Sequence, residues 1–536
     1  MQISFIVRLK KQILLHRAVF VLAFLGVVLR LRHFLANHSF WVDEIYVALH
    51  VNGKNLLQIF LGSIFSSNFP SPPMGFLLIE KLNVLIFGNN EYAFRLFPFI
   101  CGIASLIIFY QMLKKYVRPK AVFVGFALFV FSESLIYYSA QAKRYSIEVL
   151  VTLLLYLFAI HFQSTQMSYK KAFVYGMIGV VAILFSYSSI FILTAIAFVQ
   201  LLACIKEKDY KRLVRYLYAY ALWLICFVFM YLVYVKEVIC ADLMFKLYGT
   251  NDYFSLIFWS KGWILWVGKK IIEIFHGPMG LSPAILAMVF CITGIVYMYK
   301  NGREKCLMLL LPVFLVLVAS GFKKYPFLGR FLLFVVPLIL LFVSEGVVSI
   351  YDKLQAKSKI FAWVVILSIF VFPILSAGKM FIKGYGFHEE TRPAMQFLKK
   401  HFTLGDEVFV NNLGKSGYYY YLAYCGFNAS KMPQNFFSDD LYYRNRKPVI
   451  LLAKRYPFFD KEGHALGERK DMDIVIKTKD AFRKKGIFGR NPRTWFLFLH
   501  YKETEAIILD YLNKTGKKIL DFQGKGAGVY LYDLSL

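Results

Sequence analysis

Residues 172–205 read AFVYGMIGVVAILFSYSSIFILTAIAFVQLLACI, and this stretch contains no charged side chain. A helix needs about 20 apolar residues to cross the hydrocarbon core of a bilayer. A single straight helix over this stretch would be far longer than the membrane is thick. We therefore predict a tight helical hairpin that turns at the polar residues 186–189 and has one membrane span on each side.

The composition of the whole chain agrees with this interpretation. Of its 536 residues, 58% are hydrophobic, yet the formal net charge is +31. Lys and Arg gather at the ends of the apolar runs, which is typical of a membrane protein with basic cytoplasmic loops. A nucleic-acid-binding protein would need a basic face on a soluble domain, so we expect no nucleic acid among the partners.

The apolar runs predict a multi-span α-helical membrane domain over residues 1–378 and a soluble domain over 379–536. We predict about 11 transmembrane helices, at about 18–36, 92–113, 120–137, 146–162, 172–185, 189–205, 214–235, 281–299, 306–321, 330–349 and 359–378. The run 73–87 is short and carries Glu80 and Lys81 near its middle, so we interpret it as an interfacial helix. A second interfacial helix is predicted in the loop 236–280, where Trp259, Trp263 and Trp266 share one helical face.

The charge pattern also orients the chain. If 73–87 does not cross the membrane, one side collects the basic N-terminus and the basic turns at 114–120, 170–171, 206–215, 300–305 and 353–359. The positive-inside rule makes this side the cytoplasm. The other side then collects Asp43-Glu44, Ser71-Pro72-Pro73, 143–145, the 236–280 loop, 325–330 and everything after 378. The C-terminal domain is therefore predicted to be extracytoplasmic.

Asp43-Glu44 is an adjacent acid pair in a half of the chain that is poor in acids, flanked by Phe40, Trp41 and Tyr46. Repulsion between two neighbouring carboxylates favours proton uptake by one of them, as a general base requires. Two alternatives are open: the carboxylates could bind a divalent cation, or Asp43 could cap a short helix that begins at Glu44. The seven cysteines form no CxxC or Cys/His cluster, so we predict no zinc site, and a Cys240–Cys425 pair is left open.

Two basic clusters are predicted on the same outer side, where Lys and Arg are disfavoured. The first is Lys143-Arg144-Tyr145, with Glu148 one helical turn beyond Arg144. The second is the run 323–330, which includes Tyr325 and Arg330. Arg144 and Arg330 could grip a phosphate, whereas the alternative is contact with lipid headgroups. Glu148 could pair with Arg144 or extend the site as a further acid.

Transfer of a sugar from a sugar phosphate requires an acid that accepts the proton of a hydroxyl group. It also requires cations that stabilise the departing phosphate. A carboxylate base behind the acceptor gives a single displacement with inversion at the sugar carbon, by analogy with inverting glycoside hydrolysis. A lipid carrier for the phosphate would explain the membrane location.

The order of these segments resembles a known family. Asp43-Glu44, Ser71-Pro72-Pro73-Met74, Phe87-Gly88 and Arg95-Leu96, then 138–146 and 325–330, are similar to the signature blocks of GT-C glycosyltransferases. The similarity is to the protein-mannosyltransferase and lipid A aminoarabinose-transferase type, glycosyltransferase family 39, and it covers about 1–378. One departure is Ser71, where the family usually has His or Lys.

The resemblance implies a polyprenyl-phosphate-linked sugar donor and an extracytoplasmic lipid, glycan or protein acceptor. It assigns Asp43 as the base with Glu44 beside it, and it assigns the lipid phosphate to the cationic residues. The substrate-binding residues are then Lys143, Arg144, Tyr145, Glu148, Tyr325 and Arg330. No cofactor is implied apart from the divalent cation left open above. The expected location is a bacterial-type inner (plasma) membrane.

The C-terminal domain reads as α/β. Strand-like runs occupy 407–410, 449–452, 494–499, 518–522 and 528–532, and helical patterns occupy 389–401 and 503–512. This alternation predicts a small open sheet covered by helices. It contains no glycine-rich phosphate loop and no nucleophile motif. We expect this domain to cap the site and help select the acceptor.

Two other function classes compete with the enzyme. A transporter or flippase would place acidic and polar residues near the middle of its spans, whereas the polar groups here gather at the outer rim. A lipid-binding membrane protein would need no acid pair. Activity that depends on Asp43 distinguishes the enzyme from both.

Overall fold

A computed structural model describes residues 2–61, 72–164, 166–236, 253, 261–384, 389–403, 406–411, 414–425, 449–451, 493–500 and 503–535. The chain divides into two compact units. The first comprises Met1–Ala36, Asn55–Gly88 and Tyr92–Tyr385, and the second comprises Asn37–Lys54, Asn89–Glu91 and Gly386–Leu536. Ser71, Cys240 and Trp259, which carried sequence predictions, lie outside the described residues, and Cys425 has a free thiol.

Every regular element that the structure describes up to Lys383 is a helix. The helices are α1 (Gln2–Leu35), α2 (Val42–Asn52), α3 (Leu56–Leu61), α4 (Met74–Phe87), α5 (Glu91–Tyr116), α6 (Pro119–Val130), α7 (Glu133–Tyr138), α8 (Tyr145–Ser164), α9 (Tyr169–Phe185), α10 (Ser189–Glu207), α11 (Tyr210–Met230), α12 (Lys261–His276), α13 (Ala284–Asn301), α14 (Arg303–Gly321), α15 (Val336–Leu354) and α16 (Lys359–Lys383). A π-helical turn (Tyr231–Val235) extends α11, and a 3₁₀ helix (Gly329–Val335) leads into α15.

Nine helical segments within the described residues are long and apolar enough to cross a membrane. They are Arg17–Leu35, Glu91–Tyr116, Tyr145–Gln163, Ser189–Glu207, Tyr210–Val235, Ala284–Asn301, Arg303–Gly321, Gly329–Leu354 and Lys359–Lys383. This confirms the predicted multi-span helical fold.

The other two predicted spans form shorter helices. The run 120–137 is interrupted: α6 has 12 residues and ends at Val130, and α7 begins at Glu133. At 1.5 Å per residue α6 is about 18 Å long, less than the roughly 30 Å of a bilayer core. Helix α9 has 17 residues and is about 26 Å long. The predicted helix in 73–87 is α4, and its interfacial placement stays a prediction.

The predicted hairpin at 186–189 is confirmed, since α9 ends at Phe185 and α10 begins at Ser189. Serine side chains satisfy the backbone at the turn. The N–H of Ser189 donates to Oγ of Ser186 at 3.2 Å, and the Ser189 hydroxyl donates to the carbonyl of Ser186 at 2.6 Å. Such local bonds are the reason serine is favoured where a helix must stop and restart.

Helix α15 lies in the core of the first unit, and residues 331–349 are all buried. It packs closely against α13. A Cβ atom placed on Gly294 would lie 1.8 Å from the carbonyl oxygen of Phe342, and one on Gly346 would lie 1.7 Å from that of Phe290. The two backbones therefore touch, as small residues allow in membrane helix pairs.

The second unit contains a five-stranded sheet, as the alternation of patterns predicted. Its strands are β1 (Glu407–Val410), β2 (Val449–Leu451), β3 (Thr494–Leu499), β4 (Lys517–Gly524) and β5 (Ala527–Asp533), in the order β2-β1-β3-β5-β4. Strand β1 pairs in parallel with β2 and β3, and β5 pairs in antiparallel with β3 and β4. The sheet is therefore mixed.

Three helices accompany the sheet: α17 (Thr391–His401), α18 (Lys415–Tyr424) and α19 (Glu503–Thr515). The patterns predicted α17 and α19. Ile508 and Leu512 of α19 pack with Phe496 and Phe498 of β3 in one apolar core. The sequence did not predict α18, because KSGYYYYLAY has Ser416 and Gly417 in its first turn and then a run of tyrosines, and its helical form depends on burial.

Candidate active site

The acid pair lies in the first turn of α2. The helix begins at Val42, and Trp41 occupies the N-cap with an extended backbone (φ −85°, ψ 167°). Negative side chains are stabilised there, because the first N–H groups of a helix carry a partial positive charge. The helix thus starts two residues earlier than the capping alternative required, and Asp43 is not its cap.

Glu44 takes the capping role instead. Its side chain is fully buried, and its Oε2 accepts the backbone N–H of Trp41 at 3.4 Å. This is the return contact of a capping box, in which the third residue of the helix satisfies the N-cap backbone. Asp43 is only partly buried. The two acids are therefore not equivalent: Glu44 belongs to the helix start, and Asp43 presents the more accessible carboxylate.

The segment before α2 is held by residues that the sequence did not single out. Arg392 donates from Nη2 to the carbonyl of Asn37 at 2.7 Å and forms a 2.9 Å salt bridge with Glu91. The hydroxyl of Tyr421 accepts the backbone N–H of Phe40 at 2.7 Å. No local motif marks Arg392 or Tyr421. Only Glu91 of this network had a feature visible in the sequence, because it is an acid at the first position of an apolar helix.

The first basic cluster is built around a salt bridge in the first unit. Nε of Arg144 lies 2.8 Å from Oε1 of Glu148, whose side chain is only 1% exposed. The pairing left open by the sequence is therefore present. It uses one of the five N–H donors of the guanidinium group. Lys143 precedes Arg144 in the turn before α8, and its backbone N–H donates to the carbonyl of Gln141 at 2.7 Å.

Aromatic rings surround the Arg144 guanidinium group. Its central carbon lies 5.9 Å from the ring of Tyr145, 5.6 Å from Tyr187 and 6.0 Å from Phe331. Burial lowers the pKa of Arg144, but the negative charge of Glu148 and the nearby tyrosines outweigh that effect and raise the pKa. The group is therefore a permanent cation held in an aromatic cage.

The second basic cluster meets the first at Phe331. The hydroxyl of Tyr325 donates to the carbonyl of Phe331 at 2.9 Å, and the guanidinium of Arg330 lies 5.6 Å from the Phe331 ring. Burial, reinforced by the charge of Glu148, raises the pKa of Tyr325, so its hydroxyl remains protonated at neutral pH. Arg144 and Arg330 thus approach the same ring.

The candidate residues fall into two clusters, one in each compact unit. Asp43 and Glu44 belong to the second unit, which also contains the C-terminal sheet. The structure brings together Arg144, Tyr145, Glu148, Tyr325 and Arg330 in the first unit. Tyr187 and Phe331 also belong to this group, and the sequence did not single them out. The polar residues around Tyr187 predicted a turn in the sequence, and they gave no indication of a binding site.

No group of three or more His, Cys, Asp or Glu side chains that could hold a metal ion occurs among the residues that the structure describes. The divalent cation left open for the acid pair therefore stays a prediction.

Known proteins were compared with this chain both by sequence and by fold. Residues 70–232 match the sequence model of the dolichyl-phosphate-mannose-protein mannosyltransferase family. No curated protein sequence matches the chain. The family match covers the segment that contains Arg144 and Glu148. The matching family is one of mannosyltransferases.

Solved structures give the fold. Apo ArnT from Cupriavidus metallidurans superposes with a TM-score of 0.54 at 10% identity, with 98% of each chain covered. ArnT from the same organism bound to undecaprenyl phosphate gives a TM-score of 0.52 at 10% identity, covering 97% of this chain and 98% of that chain.

The oligosaccharyltransferase of Archaeoglobus fulgidus, in a complex with Zn and sulfate, gives a TM-score of 0.49 at 14% identity, with 76% of this chain covered. The chain spans 61% of the length of that protein and 63% of its apo form. The ArnT superpositions confirm the predicted resemblance at the level of the fold: the chain has the GT-C fold. Residues 70–232 add the match to the mannosyltransferase family.

Proposed function

We propose that this protein transfers a sugar from a polyprenyl-phosphate-linked donor to an extracytoplasmic lipid, glycan or protein acceptor, with inversion at the sugar carbon. The observation that carries the proposal is the caged cation Arg144, buttressed by Glu148 and joined at Phe331 by Tyr325 and Arg330. A planar guanidinium group is suited to a phosphate, because its N–H donors match two phosphate oxygens at once.

The reaction assigns one role to each cluster. The acceptor oxygen forms a bond to the anomeric carbon as the bond from that carbon to the phosphate oxygen breaks. Asp43 takes the proton of the acceptor hydroxyl, and the electron pair of the broken bond leaves with the polyprenyl phosphate. Arg144, Arg330 and Lys143 stabilise the charge that develops on the phosphate. Glu148 acts on Arg144, which it orients, and not on the substrate.

Relatives support the choice of donor. One ArnT structure contains undecaprenyl phosphate, and the matching family is described by its use of dolichyl-phosphate mannose. A polyprenyl phosphate is common to both. We place the protein in a bacterial-type inner (plasma) membrane, with residues 379–536 on the extracytoplasmic side, where they help to select the acceptor.

The test is direct transfer by the purified full-length protein in lipid nanodiscs. The donors are polyprenyl-phosphate mannose and polyprenyl-phosphate aminoarabinose, and the acceptors are an envelope lipid extract, an envelope glycan fraction and a serine/threonine-rich peptide. We expect one donor to release polyprenyl phosphate only when its acceptor is present. Loss of release in Asp43→Asn, at an unchanged thermal midpoint, supports the proposal. Full release in that variant contradicts it.

A further inference from the structure

We infer that the C-terminal part of the chain positions the catalytic carboxylate through Tyr421 and Arg392, in addition to any part in acceptor choice. This inference rests on the proposed role of Asp43 as the base. All of the residues that carry it belong to the second compact unit, which joins 37–54 and 89–91 with 386–536.

The first contact is made by Tyr421, which is fully buried in α18. Its hydroxyl accepts the backbone N–H of Phe40 at 2.7 Å and donates to Oε1 of Glu91 at 3.1 Å. One hydroxyl thus uses both its donor and its acceptor capacity. The contact fixes the backbone three residues before Asp43.

The second contact is made by Arg392, the second residue of α17. Its guanidinium group donates to the carbonyl of Asn37 at 2.7 Å and to Oε1 of Glu91 at 2.9 Å. Its backbone N–H donates to Oγ of Ser39 at 3.1 Å. The first N–H groups of a helix lack partners within the helix, and Ser39 accepts a hydrogen bond from one of them. Arg392 therefore holds the segment from both its side chain and its backbone.

Glu91 links the two contacts. Its side chain is fully buried, and it receives hydrogen bonds from both Arg392 and Tyr421. A buried carboxylate without such partners would cost several kcal/mol, so the network is stable only when it is complete. Burial lowers the pKa of Arg392, but Glu91, Tyr421 and Tyr424 together outweigh this and raise the pKa. We call Glu91, Arg392 and Tyr421 the clamp.

Further contacts fix Phe40 and the C-terminal end of α2. The ring of Phe40 packs against that of Tyr420 at 5.3 Å between centroids. At the end of α2, Nδ2 of Asn52 donates to Oδ1 of Asn89 at 2.9 Å, and the Tyr420 hydroxyl lies 3.3 Å from the same oxygen. Asp43 therefore lies on a short helix whose two ends are both tied to the residues around α18.

A general base must be within hydrogen-bond reach of the proton that it removes. A misplacement of about 1 Å can cost about 100-fold in rate. The clamp joins residues 37–40 to α17 and α18, so loosening it displaces the carboxylate without altering the acid itself. Tyr421 and Arg392 are thus positioning residues, and they do not contact the substrate in this proposal.

The experiment compares Tyr421→Phe with Tyr532→Phe in the full-length protein in nanodiscs. Tyr532 is a matched control: it is fully buried in the same unit, and its hydroxyl donates to Oδ1 of Asn513 at 2.6 Å, away from the clamp. Two quantities are measured for each variant, hydrogen exchange of the backbone amides in 37–46 and the kcat and KM for release of polyprenyl phosphate from the donor found active above.

We expect Tyr421→Phe to speed amide exchange in 37–46 by about tenfold, since one buried hydrogen bond to the backbone is lost. We expect it to lower kcat by about 10-fold to 100-fold with little change in the KM for the donor. Tyr532→Phe should change neither quantity in that segment.

Arg392 is tested in the same way, with Arg493→Gln as its control, because Arg493 pairs with Asp406 at 2.9 Å in the same unit. Arg392→Gln should behave as Tyr421→Phe does. Arg392→Lys should recover part of kcat, because it keeps the charge beside Glu91 but loses the fork that reaches Asn37.

The outcomes separate this inference from the proposed function. Unchanged exchange in both clamp variants overturns the inference. Faster exchange with unchanged kcat also overturns it, and if Asp43→Asn is inactive in the same assay the proposed function survives. Full activity in Asp43→Asn removes the proposed function and this inference together. Faster exchange with reduced kcat only in the clamp variants supports the inference.

Discussion

Arg144 and Glu148 form a 2.8 Å salt bridge across one turn at the start of α8, and the glutamate side chain is 1% exposed. The arginine is thereby fixed among three aromatic rings. A charged group held in this way is already oriented before a ligand arrives, which lowers the entropy cost of binding. This relationship makes Arg144 the most specific feature of the proposed phosphate site.

Arg144→Lys should weaken use of the donor. Lysine keeps the charge but cannot make a forked contact with a phosphate or keep the Nε bond to Glu148. We expect kcat/KM for the polyprenyl-phosphate sugar to fall about 10-fold to 100-fold, which corresponds to loss of one charged hydrogen bond. Lys120, which forms an exposed 3.0 Å pair with Asp352, offers a control. Lys120→Gln should leave kcat/KM unchanged, and equal losses in both variants would argue against a phosphate role.

Asp43→Asn and Glu44→Gln should differ, although the residues are adjacent. Removal of a general base costs about 10²-fold to 10⁴-fold in kcat, and we expect a loss in that range for Asp43→Asn with a normal thermal midpoint. Glu44→Gln keeps an oxygen for the N–H of Trp41 and should retain most activity. Glu44→Ala should destabilise the fold by about 1 kcal/mol. Measured kcat and thermal midpoints decide this, and similar kcat losses in Asp43→Asn and Glu44→Gln would contradict the division of roles.

Gly346→Ala should destabilise the first unit severely. The added methyl group would lie 1.7 Å from the carbonyl oxygen of Phe290, so α13 and α15 must separate. Overpacking costs about 1–3 kcal/mol, and a backbone neighbour cannot move aside as a side chain can. Gly378→Ala is the control, because nothing lies within 4 Å of its added Cβ in α16. The folded yield after detergent extraction and the thermal midpoint should fall for Gly346→Ala alone.

Asp406 should make the second unit sensitive to acid. Its carboxylate accepts hydrogen bonds from Thr403 at 2.6 and 2.9 Å, from Trp495 at 2.7 Å and from Arg493 at 2.9 Å. Burial raises the pKa of Asp406, but these bonds, led by that from Arg493, outweigh burial and hold the pKa below 3.8. The stabilisation is therefore fully present above the unfolded pKa and is lost as pH falls through the folded pKa.

Asp406→Asn should remove that dependence and lower the free energy of unfolding at pH 7 by about 2 kcal/mol. The measurement is the midpoint of protease-detected thermal unfolding of residues 493–535 at pH 7 and at a series of pH values below 3.8, where the stabilisation is lost. Lys514 and Asp510 form an exposed 2.6 Å pair, so Asp510→Asn should have no such effect. A variant at Asp406 that is as stable as the parent at pH 7 would show that these bonds contribute nothing net.

The predicted orientation is tested by reporters at two positions. A reporter fused after Lys115, at the end of α5, should be cytoplasmic, and one fused after Leu536 should be extracytoplasmic, since the basic turns favour the inside. Enzyme reporters that are active on one side of the membrane provide the measurement. Exchanged sides, with the first reporter extracytoplasmic and the second cytoplasmic, would mean that the 73–87 segment crosses the membrane. Both reporters on the same side would mean an even number of crossings between residues 115 and 379 and would contradict the predicted topology.

Local pattern was sufficient for much of this fold. The uncharged length of 172–205 and the serines at its middle predicted two helices, and the structure turns between Phe185 and Ser189. The strand-like apolar run at 494–499 predicted β3 with the bounds that it has. Both follow from short-range rules, because the period of burial and the bonding of polar side chains to nearby backbone depend only on neighbouring residues.

Other features were not available from local pattern. The run 120–137 is apolar enough for a span, but the chain interrupts it after Val130. The stretch 415–424 carries a weak helical signal, yet it forms α18 because most of its tyrosines are buried. In both places tertiary packing overrides an intrinsic preference of less than about 1 kcal/mol per residue.

The candidate site likewise has features that the sequence determined and features that only the tertiary structure decided. The sequence by itself determined that an acid pair, two basic clusters and a set of apolar spans occur in a fixed order, since these are properties of residue type and spacing. Tertiary structure decided that Glu44 caps α2, that Arg144 is caged by Tyr187 and Phe331, and that Tyr421 holds Phe40. The last two residues are 381 positions apart. A hydrogen bond acts over about 3 Å whatever the separation along the chain, so no local pattern records which distant residues will form one.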